Sequence, residues 1–434
     1  MWRIVQRVAF VAVAAVCALA TIALAPSEPP DWRVTDHARL ADMAPVEVTA
    51  FIASHAGLAP ETFNADAAIV AGWWSSVPRA DQKRLTARMP EVIGNLAGVD
   101  FASRNTANRA ELVRDLAAAS AALTRNPVDL SIVEQLAALN AIQGALGAGG
   151  QGKRYLVELT SDRPPLASIA IGNLDTATLV TFVVPGMATL TTDMQLWTRA
   201  AQNLYDAQEA AGATMRRAVI AWVGYRTPPA GMDATRDTYA TRGALLLKRD
   251  ISGLRAARGT REQAVVNIVA HSYGATTAAL ALSQSDLGVA AFVMLGSAGV
   301  DPHIRSVLDL HAARVYVAEA AADQEARWGR IDRRDPVAIS FGATRIPVNG
   351  GKDLRGVTGH EPIVHSPWND DPASPLWAKG ATAKDREQLY ASHMASEGYL
   401  DPGTQSLANI AMASTPTLTR NHAREPRAAV AQEP

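Results

Sequence analysis

The chain has 434 residues, of which 48% are hydrophobic and 19% charged, and its 41 basic and 42 acidic side chains leave a formal charge of −1. That balance excludes a disordered chain, and the lack of a basic excess or stripe excludes nucleic acid as the expected partner. The single cysteine, Cys17, excludes an intramolecular disulfide and a thiolate metal cluster.

Residues 1–25 read as a targeting or anchoring segment. Two arginines lie within Met1–Arg7, Val8–Ala25 is an apolar run interrupted only by Thr21, and Ser27, Glu28, Pro29 and Pro30 end it. A basic start before an apolar run is the pattern of a secretion signal, and the run is also just long enough for a membrane span. Ala18-Leu19-Ala20 and Ala23-Leu24-Ala25 both fit cleavage sites, although Pro26 would follow the second. The expectation is a signal peptide or N-terminal membrane anchor. The rest of the chain is then secreted or bound to the cell envelope, outside the cytoplasmic membrane, with residues 8–25 as the point of any membrane association.

From Asp31 to about Gly150, apolar residues recur at helical spacing, as in Leu112-Val113…Leu116 and Ile132…Leu136…Leu139. Asn126-Pro127 ends one helix and Asp129 caps the next. Residues 31–150 are therefore expected to form an α-helical domain, with Gly147–Gly152 as a joint. Beyond Lys153, short β-branched runs alternate with helical stretches. Eight strands are expected, at Tyr155–Thr160, Ala167–Ile171, Thr178–Val184, Ala218–Val223, Ala264–Ala270, Ala290–Leu295, Arg314–Ala318 and Ile339–Arg345. Leu196–Ala211, Gly243–Ala257 and Ala275–Leu282 suit crossover helices. This is the pattern of an α/β domain over residues 153–413, with a mostly parallel sheet covered by helices on both faces. Residues 414–434 carry little apolar content and are expected to be a disordered tail.

Chemistry gathers at the strand ends. Ala264–Ala270 runs into His271-Ser272-Tyr273-Gly274 and then a helix of small residues. A strand, a small-x-Ser-x-Gly turn and a helix make a nucleophile elbow, in which a strained turn lifts the serine hydroxyl above the sheet. Ala270 stands where the first glycine is usual. A nucleophilic serine needs a base, an orienting acid and an oxyanion hole, and in such folds the acid and then the histidine follow the serine. Asp323 lies just past the strand Arg314–Ala318 and is the expected acid, with Glu319 as its rival. His393, in a segment before the final apolar helix, is the expected base; His360, in a Gly-rich loop, is the alternative, with His365 behind it. The oxyanion donors are expected to be the backbone amides of Tyr273 and of Met187, in the Pro185-Gly186-Met187 loop. His360 and His365 lie near Asp353, Glu361 and Asp370, but no metal or phosphate-binding motif occurs, and neither a cofactor nor a metal is expected.

These motifs resemble an α/β-hydrolase family common in actinobacteria and catalogued as a domain of unknown function. The resemblance runs over residues 70–412. It rests on Trp73-Trp74, Ile93-Gly94-Asn95-Leu96, Arg104-Asn105…Ala107-Asn108-Arg109, Val184-Pro185-Gly186, Trp222-Val223-Gly224-Tyr225, His271-Ser272-Tyr273-Gly274, Leu295-Gly296-Ser297-Ala298-Gly299-Val300 and Ser392-His393…Tyr399-Leu400. The chain departs from the pattern at Ala270, at Ala298 where proline is common, and in a long stretch over residues 342–388. The resemblance implies an α/β-hydrolase fold with Ser272, Asp323 and His393 as the triad. The expectation that follows is an exported serine esterase or lipase-like enzyme acting on a small-molecule or lipid ester through an acyl-enzyme. An acyltransferase with the same triad, or a non-catalytic surface binding protein, would share the pattern.

Overall fold

The computed structural model describes residues 67–416 except 260, 352, 367, 368 and 381. The expected signal or anchor over residues 1–25, and the tail from 417 on, lie outside the described residues. No described helix is long and apolar enough to cross a membrane.

Eight strands form one sheet: β1 (Arg154–Leu159), β2 (Ala167–Ile171), β3 (Leu179–Val184), β4 (Arg217–Val223), β5 (Val265–His271), β6 (Val289–Leu295), β7 (Ala312–Ala318) and β8 (Thr344–Ile346). Their order is β1-β2-β4-β3-β5-β6-β7-β8. The β1–β2 and β2–β4 pairs are antiparallel and all later pairs parallel. The central strand β3 is buried at every position, since both its faces are covered. On β3, Val180, Phe182 and Val184 join one core, shared with Leu247, Ile251 and Leu254 of the helix Thr238–Arg258 and with the small residues of the helix Tyr273–Gln284. Val183 joins the opposite core, with Trp197 and Leu204 of the helix Met194–Ala210 and Leu407 and Ile410 of the helix Gln405–Ala413. The strand expected over Ile339–Arg345 is shorter than its apolar run. Ile339–Phe341 is a 3₁₀ turn that buries Phe341, Gly342 reverses the chain at φ 85°, and pairing begins only at Thr344.

The helical segment does not stand apart as a domain. Its last two helices, Phe101–Arg125 and Leu130–Gly147, place Leu112, Leu139 and Ile142 in the same core as β1, β2 and β4. Polar residues complete the join along the outer edge of β1. Asn95 accepts from the Leu159 amide at 2.8 Å and donates to the Leu159 carbonyl at 2.7 Å. Asn105 accepts from Leu156 N–H at 2.9 Å, Asn108 donates to Leu156 O at 3.2 Å, and Arg109 donates to Arg154 O at 2.9 Å. An edge strand's unpaired backbone groups invite another chain, and here side-chain amides occupy them. Gly94 is required beside them, because a Cβ there would lie 1.8 Å from Asn108 Oδ1. Trp73 and Trp74 fill a separate small core with Ile93, Leu96 and Val99. At the other end, Ser414 is buried and its carbonyl accepts from Asn267 of β5 at 2.7 Å, so order extends past the expected start of the tail.

Candidate active site

The site lies where β5 ends and the helix Tyr273–Gln284 begins. Ser272 occupies φ 53°, ψ −123°, a backbone conformation that L-residues rarely adopt. Its neighbours enforce the turn. Ser272 N–H donates to Leu295 O at 2.9 Å, and Ser272 O accepts from Ala275 and Ala298 amides at 3.0 and 3.3 Å. A Cβ on Gly274 would sit 2.4 Å from Pro185 O, so the elbow's glycine is a matter of space. Ala270 is fully buried in the sheet, and its methyl fits where the usual glycine would leave room.

Ser272 Oγ is 2.9 Å from Nε2 of His360. Nδ1 of the same ring lies 2.9 Å from both carboxylate oxygens of Asp323. Asp323 comes to this point because it N-caps the helix Gln324–Trp328, where its Oδ1 accepts from Ala326 N–H at 2.9 Å. Its Oδ2 accepts from the buried Tyr399 hydroxyl at 2.8 Å, and that hydroxyl in turn accepts from Ala320 N–H at 2.9 Å. Burial alone would raise the Asp323 pKa, but these donors and the His360 ring outweigh it and hold the carboxyl below the usual range. Burial likewise pulls the His360 ring down, but Asp323, with Glu325 and Glu361 beyond it, outweighs that and holds the ring above its ordinary value.

The structure therefore places His360, the alternative base, against Ser272 and Asp323, and not His393. His393 is on the helix Ala383–Met394, where its Nε2 faces Asp370 Oδ1 at 2.8 Å. His365 also faces Asp370, at 3.0 Å. Glu319, the rival acid, is held by Arg330 and, at 3.3 Å, by Arg327. Gly186 lies against the serine, since a Cβ there would meet Ser272 Cβ at 2.7 Å. The loop carrying Met187 thus borders the nucleophile, with Tyr225 Oη donating to Pro185 O at 2.8 Å to fix it.

Three further residues, which the sequence marks only within the motifs of the family resemblance, shape the site. Tyr399 is described above. Gly296, at φ 47°, lies under the acid and base: a Cβ there would be 2.5 Å from Asp323 Oδ2 and 3.2 Å from His360 Nδ1. His271 is buried, and its Nε2–H donates to the backbone carbonyl of His360 at 2.6 Å. Burial, then the neighbouring His360, pulls its pKa down to about 3, so it is a neutral donor that sets the height of the His360 loop.

A family model described as alpha/beta hydrolase matches residues 162–331, a span that includes Ser272 and Asp323. With that match and the sheet above, the assignment is direct. This chain has the α/β-hydrolase fold. An uncharacterized protein of Mycobacterium tuberculosis is 32% identical over 289 residues, 60% of this chain and 44% of its own length. The chain thus spans less than half the length of that relative. An uncharacterized protein of Mycobacterium bovis is 26% identical over 257 residues, 55% of this chain and 90% of its own. Among solved structures, the hydrolase domain is similar to a fungal esterase of Rhizomucor miehei, with TM-score 0.34, 12% identity, and 64% of this chain and 97% of that one covered. It is also similar to a dienelactone hydrolase of Anabaena variabilis, with TM-score 0.29, 16% identity, and coverage of 41% and 78%. Likeness at this level assigns no substrate.

Proposed function

We propose that this protein is a serine hydrolase acting on carboxylic esters, with Ser272 as nucleophile, His360 as base and Asp323 as orienting acid. The continuous Ser272–His360–Asp323 hydrogen-bond chain carries the reading. Asp323 accepts a hydrogen bond from Nδ1–H of His360, which leaves the Nε2 lone pair to take the Ser272 proton as Oγ attacks the acyl carbon. The imidazolium formed is stabilised by the Asp323 charge. The amides of Tyr273 and Met187 are the donors proposed for the oxyanion. His360 then returns its proton to the leaving alkoxide. Water, deprotonated by the same nitrogen, releases the acid and frees the serine. The apolar run at residues 8–25, after its basic start, supports export, which cell fractionation and N-terminal sequencing test.

The decisive experiment is fluorophosphonate labelling of the full-length protein beside Ser272→Ala, with p-nitrophenyl esters of short and long acyl chains. Labelling and turnover that both vanish in the variant are expected. A folded wild-type protein that neither labels nor turns over any ester would sink the hydrolase reading. Acyl transfer to added alcohol in excess of hydrolysis would move it to an acyltransferase.

A further inference from the structure

A second cluster of histidine and carboxylate lies in the excursion between the base and the final helix. His365 Nδ1 and His393 Nε2 both face Oδ1 of Asp370, at 3.0 and 2.8 Å, and the ligand atoms of the three residues lie within 4.8 Å of one another. The ring of His365 has an unusual set of partners. Its Nε2 lies 2.8 Å from the carbonyl of Ser396, which can only accept, so Nε2 carries a hydrogen. Nδ1 of the neutral ring is then a lone pair facing a carboxylate oxygen. His360 has no such conflict, because its second partner is a hydroxyl that can donate. Two acceptors in contact need a cation between them, either a second proton on the ring or a metal ion.

We propose that His365, Asp370 and His393 bind one divalent transition-metal ion of the zinc class. Imidazole nitrogens and a carboxylate oxygen are a usual zinc set, with bonds of about 2.0–2.2 Å, and tetrahedral placement needs each nitrogen only a few tenths of an ångström further from Asp370 Oδ1 than it stands. The Ser396 carbonyl supplies what ligating histidines ordinarily have, an acceptor for the other ring N–H that fixes the tautomer. Tyr390 Oη donates to the Asp370 backbone carbonyl at 2.8 Å, and Trp377 packs on His393 with ring centroids 4.9 Å apart, so two of the three ligands are held from behind. Asp401 and Glu397 also approach His365. Asp401 is already engaged, accepting from the amides of Val364, His365 and Gly398 at 2.7–3.1 Å, whereas Glu397 pairs with Arg355 through Oε1 at 2.6 Å and has its buried Oε2 without a hydrogen-bond partner among the described residues. The ion would tie the excursion over residues 366–394 to the loop that carries His360, five residues before His365. It would take no part in the chemistry at Ser272.

The test is a Zn²⁺ titration of the full-length protein stripped with a chelator, read by competition with a chromophoric zinc indicator and by elemental analysis. Wild type, His393→Ala and Asp370→Asn are compared, with circular dichroism confirming that each is folded. One equivalent of zinc is expected, bound about a hundredfold more tightly by wild type than by either variant. Co²⁺ should give visible bands of low-coordinate nitrogen ligation that both variants lose. Asp370→Asn keeps the shape of the side chain, so it answers the question if His393→Ala does not fold. Folded wild type that binds no zinc at tens of micromolar overturns the proposal, and so does equal binding by the folded variants. The readout is metal content, so its result is independent of whether Ser272 turns over esters.

Discussion

Tyr399 shows most plainly how the hydrolase domain holds its acid. Its hydroxyl gives Asp323 a second donor, and removing a hydrogen bond to a charged group costs about 1.5–3 kcal/mol. We expect Tyr399→Phe to lower kcat/KM on a p-nitrophenyl ester roughly ten- to a hundredfold with KM little changed; a variant as fast as wild type would leave Tyr399 a packing residue. Asp323→Asn should cost about ten-thousandfold, because the amide favours the wrong His360 tautomer. Glu319→Gln, at the rival acid, should stay within a few-fold of wild type, since Glu319 meets only Arg327 and Arg330. The base must be neutral to accept a proton, and His360 is held above the ordinary histidine value of 6.5. Activity should therefore climb with pH through a midpoint above 6.5, and a pH–rate profile with its midpoint below that value would show that Asp323 does not control the ring. The serine and the acid were legible in the sequence because each is fixed locally: Ser272 by small residues within two positions, Asp323 by the helix it caps. The base was not. Its approach to Ser272 is set by the irregular path from Ile346 to His360 and by contacts to His271 and Tyr399, none of which leaves a periodic trace.

Among the elements, the edge of β1 carries a clear expectation. Asn95→Ala would leave the Leu159 N–H and carbonyl without their amide partner, at about 1–3 kcal/mol for each buried group left unpaired. Thermal unfolding should shift down by several degrees, while fluorophosphonate labelling of the folded variant persists. An unchanged melting temperature would mean that the β1 edge is satisfied by water. The strands and crossover helices were legible from apolar runs and their alternation, since a strand buried on both faces needs little else. The place of the helical segment was not. The change of composition at Lys153 suggested a boundary, whereas the join is made by Asn95, Asn105, Asn108 and Arg109, polar residues whose partners lie about fifty residues away. The stretch over residues 342–388 reads as an addition that leaves His393 in the base's place. The histidine that reaches the elbow, His360, instead lies within that stretch.

For the whole molecule, acid is the expected weakness. His271 titrates near its ordinary value of 6.5 when unfolded but at about 3 when folded. Between those values the unfolded chain binds more protons, so the stability this residue contributes is complete above pH 6.5 and drains away as pH falls toward 3. Asp323, held low when folded, adds to the loss at the acid end. Denaturant melts of His271→Gln, which keeps a donor for the His360 carbonyl without a titrating ring, should show a flatter dependence over this window than wild type; parallel curves would place the acid sensitivity elsewhere. The hold on His360 has another consequence. The loop that carries it is bound to a much later stretch of chain, with Tyr399 N–H on Glu361 O at 3.1 Å and Leu400 N–H on Pro362 O at 2.8 Å. During synthesis, serine, acid and base all emerge before the residues that hold the base in place. A nascent chain that stops short of Tyr399 carries every reacting side chain and yet lacks the hold that aligns them. Competence is thus deferred until translation has passed Leu400, and a chain released early, though it contains the whole proposed triad, should be silent.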